Sequence, residues 1–226
     1  PNARHKGCRV IIDDILLHSS DIPTLLTYLD CVCQIFIKYR VSLKLGKCDF
    51  LKSRFEYVGH DITADGNCPA SSKFDLVNDW NLASNGQGLR SFVSLCNFYY
   101  KFCPWFEVSV KPLRSLISEF HRQPIPTDHW TPDLLSLFDK LKQDIVSSPL
   151  LARYDSSKPC FLKTDWSALA FGYILMQPDD SPESAAALLH LQRTGECKFD
   201  LTLKGAHLRP IRFGSRGCTD QEKHYH

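Results

Sequence analysis

Residues 9–18, RVIIDDILLH, set the tightest local constraint in the sequence. Apolar residues of strand character stand on both sides of a charged pair, and Asp13-Asp14 falls where a hairpin turn belongs. Neighbouring carboxylates held between apolar strands repel one another and lose hydration. A divalent cation removes that penalty. Phosphoryl transfer uses such a pair, because two Mg²⁺ ions about 3.5–4 Å apart can hold the attacking and leaving oxygens. An exposed Asp-Asp turn that binds nothing satisfies the same ten residues.

The chain then changes character twice. Leu25, Leu26, Leu29, Val32, Cys33, Phe36 and Ile37 recur at helical spacing after Ser20, Asp21 and Pro23, which predicts an amphipathic helix with one buried face. Val41, Leu43 and Leu45 alternate with Ser42 and Lys44 as a half-exposed strand does. Phe55 and Tyr57 lead a second strand towards an Asp65-Gly66 turn. From Cys68-Pro69 onward helices take over. Phe74, Val77 and Trp80 mark one, and Leu89, Phe92, Val93, Cys96 and Tyr100 a second, the two split by the breaker cluster Ser84–Gly88. A third follows Pro104 with Val110, Leu113 and Ile117.

After a linker at residues 121–128, Thr131 can cap a helix with Pro132 in its first turn and Leu134, Phe138, Leu141 and Ile145 on one face. Strands return at Cys160–Asp165, Phe171–Gln177 and Ile211–Ser215. The long insert Pro178–His207 holds one short helix around Ala185–Leu191, and a loop of that length is usually functional or mobile.

With 226 residues and 43% hydrophobic content, the chain can bury one large core or two modest ones. The net charge of +2 is unevenly spread: residues 31–60 carry six Lys/Arg against Asp49 and Glu56. That basic strip suits a polyanion approaching metal-bound carboxylates, and equally suits a solvated surface. The ten cysteines form no C-x-x-C pairs, and Cys31-x-Cys33 is too tight for a zinc knuckle, so they read as reduced thiols of an intracellular protein. His224-x-His226 is a weak zinc candidate for want of a partner at ligand spacing. The sequence opens on Pro1, and PNARHKGCRV has no apolar run fit for a signal peptide or membrane span, as expected of an excerpt.

Ile11-Ile12-Asp13-Asp14 resembles the Y-x-D-D motif of reverse transcriptases, with Ile11 in the place of the usual aromatic residue. In order along the chain, SLKLGKCDF at 42–50 resembles the strand-and-lysine element of Ty3/Gypsy-type retrotransposons, and Phe55–His60 resembles their primer-grip hairpin. Leu89-Arg90-Ser91-Phe92 with Asn97–Phe102 resembles their thumb. Lys163-Thr164-Asp165-Trp166-Ser167, with Gly172 and Leu175, resembles the first two strands of their RNase H domain, and Phe213-Gly214-Ser215-Arg216 the third.

The resemblance implies an α+β chain in four parts. These are the end of a reverse transcriptase palm (1–67), a helical thumb (68–120), a connection (121–156) and the start of an RNase H-like mixed sheet (157–226). It implies Asp13 and Asp14 as polymerase carboxylates on Mg²⁺, Lys47 as proton donor to pyrophosphate, and Asp165 as the first RNase H metal ligand. Tyr57, Gly59 and His60 would hold the primer terminus, with Lys44 and Lys52 in the basic strip beside them.

The implied partners are an RNA/DNA template-primer hybrid and a dNTP, in the cytoplasm, the nucleus or a retroelement particle. The family's third polymerase carboxylate would precede this chain, and its second RNase H carboxylate would lie past the helix that Thr219–His226 begins. The excerpt alone is therefore expected to be inactive, its parent being a polymerase and nuclease. The alternative is a non-catalytic nucleic-acid-binding or interaction module.

Overall fold

The computed structural model describes residues 7–199 and 207–222, and the chain forms two compact units, Pro1–Ala64 and Asp65–His226. In the first unit, β1 (Cys8–Ile11) and β2 (Asp14–Leu17) pair antiparallel with Ile11 opposite Asp14. The turn is therefore Ile12-Asp13, one residue earlier than the expected Asp13-Asp14, and Asp14 begins a strand.

Helix α1 (Ile22–Tyr39) starts where its sequence signal lies: the Asp21 carboxylate accepts from the Thr24 N–H at 2.8 Å. It stops at Arg40, which turns left-handed at φ 54° and donates its N–H to Ile37. The buried face expected of α1 is not realised. Leu25, Leu29, Val32 and Phe36 are half-buried, none is fully covered, and Ile37 is 77% exposed.

The strand expected over Val41–Leu45 is also absent. Val41–Lys44 is irregular and Leu45–Lys47 forms a 3₁₀ turn closed by Lys47 N–H to Lys44 O at 2.8 Å. Alternating side chains do not make a strand unless a neighbour supplies the ladder. Strands β3 (Phe55–Tyr57) and β4 (His60–Ile62) do pair, Tyr57 opposite His60. The intervening Val58-Gly59 has φ of 48° and 68°, the pattern of a type I′ hairpin turn.

The second unit opens with β5 (Asn67–Pro69), whose Asn67 bridges Leu151. Four helices follow: α2 (Phe74–Asn78), α3 (Gly86–Phe98), α4 (Phe106–Phe120) and α5 (Pro132–Val146). The breaker cluster before α3 is its cap, since the Asn85 side chain accepts from Gly88 N–H at 2.8 Å. Thr131 caps α5 with Pro132 in the first turn.

Strands β6 (Phe161–Trp166), β7 (Ala170–Pro178) and β8 (Leu208–Gly217) form an antiparallel sheet in the order β6-β7-β8. Between β7 and β8 lies α6 (Pro182–Thr194), longer than the short helix expected there. Helices and sheet share one core. Leu89, Phe92, Phe102, Val110, Leu113, Leu141 and Ile145 are buried in it together with Phe213 of β8. The mixed architecture is the α+β class expected.

After β8, Thr219 and Glu222 form a capping box: the Glu222 carboxylate accepts from the Thr219 N–H at 2.9 Å, and Glu222 N–H donates back to Thr219 Oγ. The Arg216 guanidinium grips the same carboxylate, and these bonds hold its pKa down to about 2. The rest of the helix expected over Thr219–His226, and the His224-x-His226 pair, lie outside the described residues. Among the described residues no helix is long and apolar enough to cross a membrane.

Candidate functional site

The β1–β2 hairpin carries Asp13 in its turn and Asp14 at the head of β2, both exposed. In the same unit the β3–β4 hairpin brings Tyr57 within electrostatic reach of Asp14. Burial first, then the Asp14 carboxylate and the Cys8 thiol, raise the Tyr57 hydroxyl above its ordinary pKa. That hydroxyl is buried and has no hydrogen-bond partner among the described residues. Thus a carboxylate of the first hairpin and a phenol of the second share a neighbourhood. Local pattern could not reveal this, because it depends on contact between segments more than forty residues apart.

His60 begins β4 just after the turn, its Nδ1 2.8 Å from the Val58 carbonyl. Gly59 holds the second left-handed position of that turn. Its conformation, rather than a close approach by a ligand, is the visible reason for glycine. Lys44 and Lys47 bracket the 3₁₀ turn, exposed and without an ion pair among the described residues. Lys52 is bound to Asp49 at 2.5 Å and Arg54 to Asp61 at 2.8 Å, so part of the basic strip is already neutralised.

Ile12 stands at the tip of the first hairpin, 94% exposed, with φ 56°. A left-handed conformation costs a β-branched residue about 1–2 kcal/mol, and such strain gathers at active sites and ligand clamps. Ile12→Gly should relieve most of it, less the greater chain entropy glycine gives up on folding. The expected result is hydrogen exchange slowed about three- to five-fold at the Ile11 and Asp14 amides, which face each other across the turn, on the order of 1 kcal/mol. Unchanged or faster exchange would show that the turn is not strained.

In the second unit Asp165 lies in β6 opposite Gly172 of β7, and its carboxylate accepts from the Trp166 N–H at 2.9 Å. Gly172 is opposite Ser215 of β8. The start of α4 closes on these strands: Ser215 Oγ accepts from the Glu107 N–H at 2.9 Å. A Cβ on Gly172 would come within 3.1 Å of the Trp105 ring. Trp105 takes a left-handed φ of 56° to enter α4. Pro104 hinted at a helix start there but not at this docking.

Asp165 is exposed and belongs to the second unit, Asp13 and Asp14 to the first. Among the described residues no three His, Cys, Asp or Glu side chains converge to hold a metal ion. None of the ten cysteines forms a disulfide. Burial pushes the Cys96 thiol up to about 12, and raises Cys103 as well, so both pack as apolar residues. A surface groove of about 480 Å³ lies between Asn78–Leu82 and α5, where Lys142 donates to the Asn78 and Trp80 carbonyls.

Residues 130–190, which run from the cap of α5 through β6 and β7 into α6, match the RNase H-like domain found in reverse transcriptase. A 169-residue stretch, 75% of the chain, is 31% identical to the transposon Tf2-3 polyprotein of Schizosaccharomyces pombe. The retrovirus-related Pol polyprotein from transposon 297 of Drosophila melanogaster is 31% identical over 173 residues. The aligned stretches span 12% and 16% of those two polyproteins.

The foamy viral protease-reverse transcriptase has the same fold, in complexes with double-stranded DNA and with an RNA/DNA hybrid. Its TM-scores are 0.72 and 0.71 at 21% identity, over 97% of this chain and 33% and 26% of those chains. Fold and matched segment define the class: a reverse transcriptase region leading into an RNase H-like domain. Together these likenesses support a fragment of a Ty3/Gypsy-type retrotransposon reverse transcriptase/RNase H region.

Proposed function

We propose that this chain contributes to a polyprotein that copies RNA into DNA and cleaves the RNA strand of the hybrid. Residues 1–67 would serve as the end of the palm, 68–120 as thumb, 121–156 as connection and 157–226 as the RNase H-like part. The nearness of Asp14 to the unpartnered Tyr57 hydroxyl is the observation that carries this reading. It supports a reading in which the first hairpin would hold metal and the second a primer end.

Asp13 and Asp14 offer exposed, hard oxygen donors of the kind Mg²⁺ takes, one or two carboxylates with substrate phosphates and water completing its shell. When bound there, Mg²⁺ would supply charge for nucleotidyl transfer from a dNTP; at Asp165 it would serve RNA hydrolysis. The chain's own residues position the nucleic acid. Tyr57, Gly59 and His60 form the hairpin against which a primer terminus would rest. Lys44 and Lys47 offer cations to phosphate, and Lys47 would also donate a proton to a leaving pyrophosphate. Lys52 would act more weakly while Asp49 holds it. The setting would be the cytoplasm, the nucleus or a retroelement particle.

The whole polyprotein should lose primer extension on an RNA template by on the order of 100-fold or more in Asp13→Asn, as when a principal electrostatic stabiliser is removed. The 226-residue chain alone should bind a primer–template hybrid without extending it, because two carboxylates do not fix two ions. In fluorescence anisotropy its log K should fall with log salt at a slope of roughly −2 to −3. Reversing Lys44 and Lys47 to Glu should flatten that slope, whereas Lys140→Glu with Lys142→Glu should not, since those side chains hold Asp144 and backbone carbonyls. Salt-independent binding would remove the basic strip as the contact surface. Extension by the polyprotein undiminished in Asp13→Asn would leave the non-catalytic binding module.

A further inference from the structure

Asp165 stands on β6, an edge strand of the described β6-β7-β8 sheet, so among these strands only β7 fixes where it lies. Directly opposite residues of antiparallel strands share a face. The pairs Asp165–Gly172 and Gly172–Ser215 therefore put the carboxylate, the glycine and the Ser215 hydroxyl in one row. The carboxylate accepts from the Trp166 N–H at 2.9 Å and from no other donor among the described residues. Its placement depends on the row.

Helix α4 reaches that row from the helical side. A Cβ on Gly172 would lie 3.1 Å from each of Cε3, Cζ3 and Cη2 of Trp105. A point equidistant from three neighbouring corners of a six-membered ring lies on the axis through the ring's centre, so the indole lies flat against the strand. Beside it the Glu107 N–H donates to Ser215 Oγ at 2.9 Å, and Lys111 Nζ donates to the Cys218 carbonyl, just past β8, at 3.3 Å. Trp105 itself is left-handed, with φ of 56°, and as the N-cap of α4 its side chain makes no bond to the helix it opens. Asp, Asn or Ser would cap this helix better, and Gly would take the same φ without strain. A strained, half-buried tryptophan in that position is accounted for by what its ring does to Gly172.

We propose that Trp105 is a positioning residue for Asp165. Its ring is a flat stop behind β7 that sets the height of the Gly172 backbone and, through the Asp165–Gly172 pair, that of the carboxylate. This rests on the reading of Asp165 as a carboxylate of RNA cleavage, and adds that the segment proposed as thumb supplies part of its support. Groups that hold a metal-binding carboxylate from behind are worth about 10- to 100-fold in metal affinity or activity.

Hydrogen exchange on the 226-residue chain tests the link without metal or activity. Trp105→Ala should speed exchange of the Trp166 amide, which bonds to the Asp165 carboxylate, about five-fold or more, and leave the Leu113 and Leu141 amides of the core as they were. Trp105→Phe, which keeps a flat ring, should restore the parent rate. Gly172→Ala should act as Trp105→Ala does, because its Cβ presses the ring away. In the whole polyprotein, Trp105→Ala should raise the Mg²⁺ concentration for half-maximal RNA cleavage about ten-fold or more, with Trp105→Phe close to the parent. Exchange at Trp166 that is unchanged in Trp105→Ala, or raised no more than at Leu113 and Leu141, would overturn the inference, since the ring would then serve the fold alone. So would cleavage that loses rate with its Mg²⁺ midpoint unmoved. Asp165→Asn separates the two claims: full cleavage in that variant would refute Asp165 as a cleavage residue, and the exchange result would still decide whether Trp105 holds it.

Discussion

Phe92→Ala should destabilise the second unit by about 3–5 kcal/mol, the range for truncating a fully buried aromatic residue. Phe92 has no exposed surface and lies at the junction of three helices. Its ring centroid is 4.2 Å from that of Phe138 on α5 and 5.9 Å from that of Trp80, just after α2. Truncation would open a cavity among side chains that cannot collapse into it without moving α3, α4 and α5 apart. Phe98, on the same helix but 47% exposed, supplies the control: Phe98→Ala should cost under about 1 kcal/mol. Urea denaturation followed by tryptophan fluorescence would show this as a large loss in midpoint for the first variant only. Similar midpoints for the two would mean that the helices do not share the single core described above. The sheet should respond too, because Phe213 of β8 is buried in the same cluster.

That shared core explains what could and could not be read in advance. Helix starts are local chemistry, so Asp21 before α1 and Thr131-Pro132 before α5 announce themselves. The apolar faces of α4 and α5 follow from spacing alone. Partners are a different matter. Val41–Leu45 alternates as a strand does and remains irregular, because alternation says nothing about whether a ladder neighbour exists. The apolar stripe of α1 predicts burial, and the structure leaves Leu26 and Ile37 exposed.

The candidate site divides in the same way. Asp13 and Asp14 are legible as an acidic pair between strands, and Asp165 as a carboxylate near a strand end. The nearness of Tyr57 to Asp14 and the clasp of Glu107 on Ser215 depend on contacts between distant segments. The one-residue shift of the first turn came from Ile12 adopting a conformation its residue type disfavours. Sequence reasoning discounts such a conformation by design.

Gly66→Ala should cost the second unit about 2–4 kcal/mol, and the reason is steric as well as conformational. Gly66 has φ of +154°, a backbone geometry that residues with a Cβ avoid. A Cβ there would sit 2.0 Å from the Leu151 carbonyl oxygen and 2.8 Å from its carbon. Neither atom can swing away as a side-chain tip could, because both belong to backbone held on each side. Asn67 and Leu151 exchange two N–H to carbonyl bonds of 2.8 Å, and Ala152 N–H donates to Pro210 of β8 at 2.8 Å. The Leu151 side chain is buried in the core, so relieving the clash would pull it outward. Gly195, at the left-handed end of α6 with φ +73°, has nothing within 4 Å of its hypothetical Cβ. Gly195→Ala should therefore cost only about 1 kcal/mol, from conformation alone. Comparing the two variants by urea midpoint isolates the steric part, and equal losses would mean that the Gly66–Leu151 contact yields freely. A larger loss at Gly66 with weakened amide protection at Asn67 and Ala152 would identify this contact as what fastens the chain at β5 to the edge of the sheet.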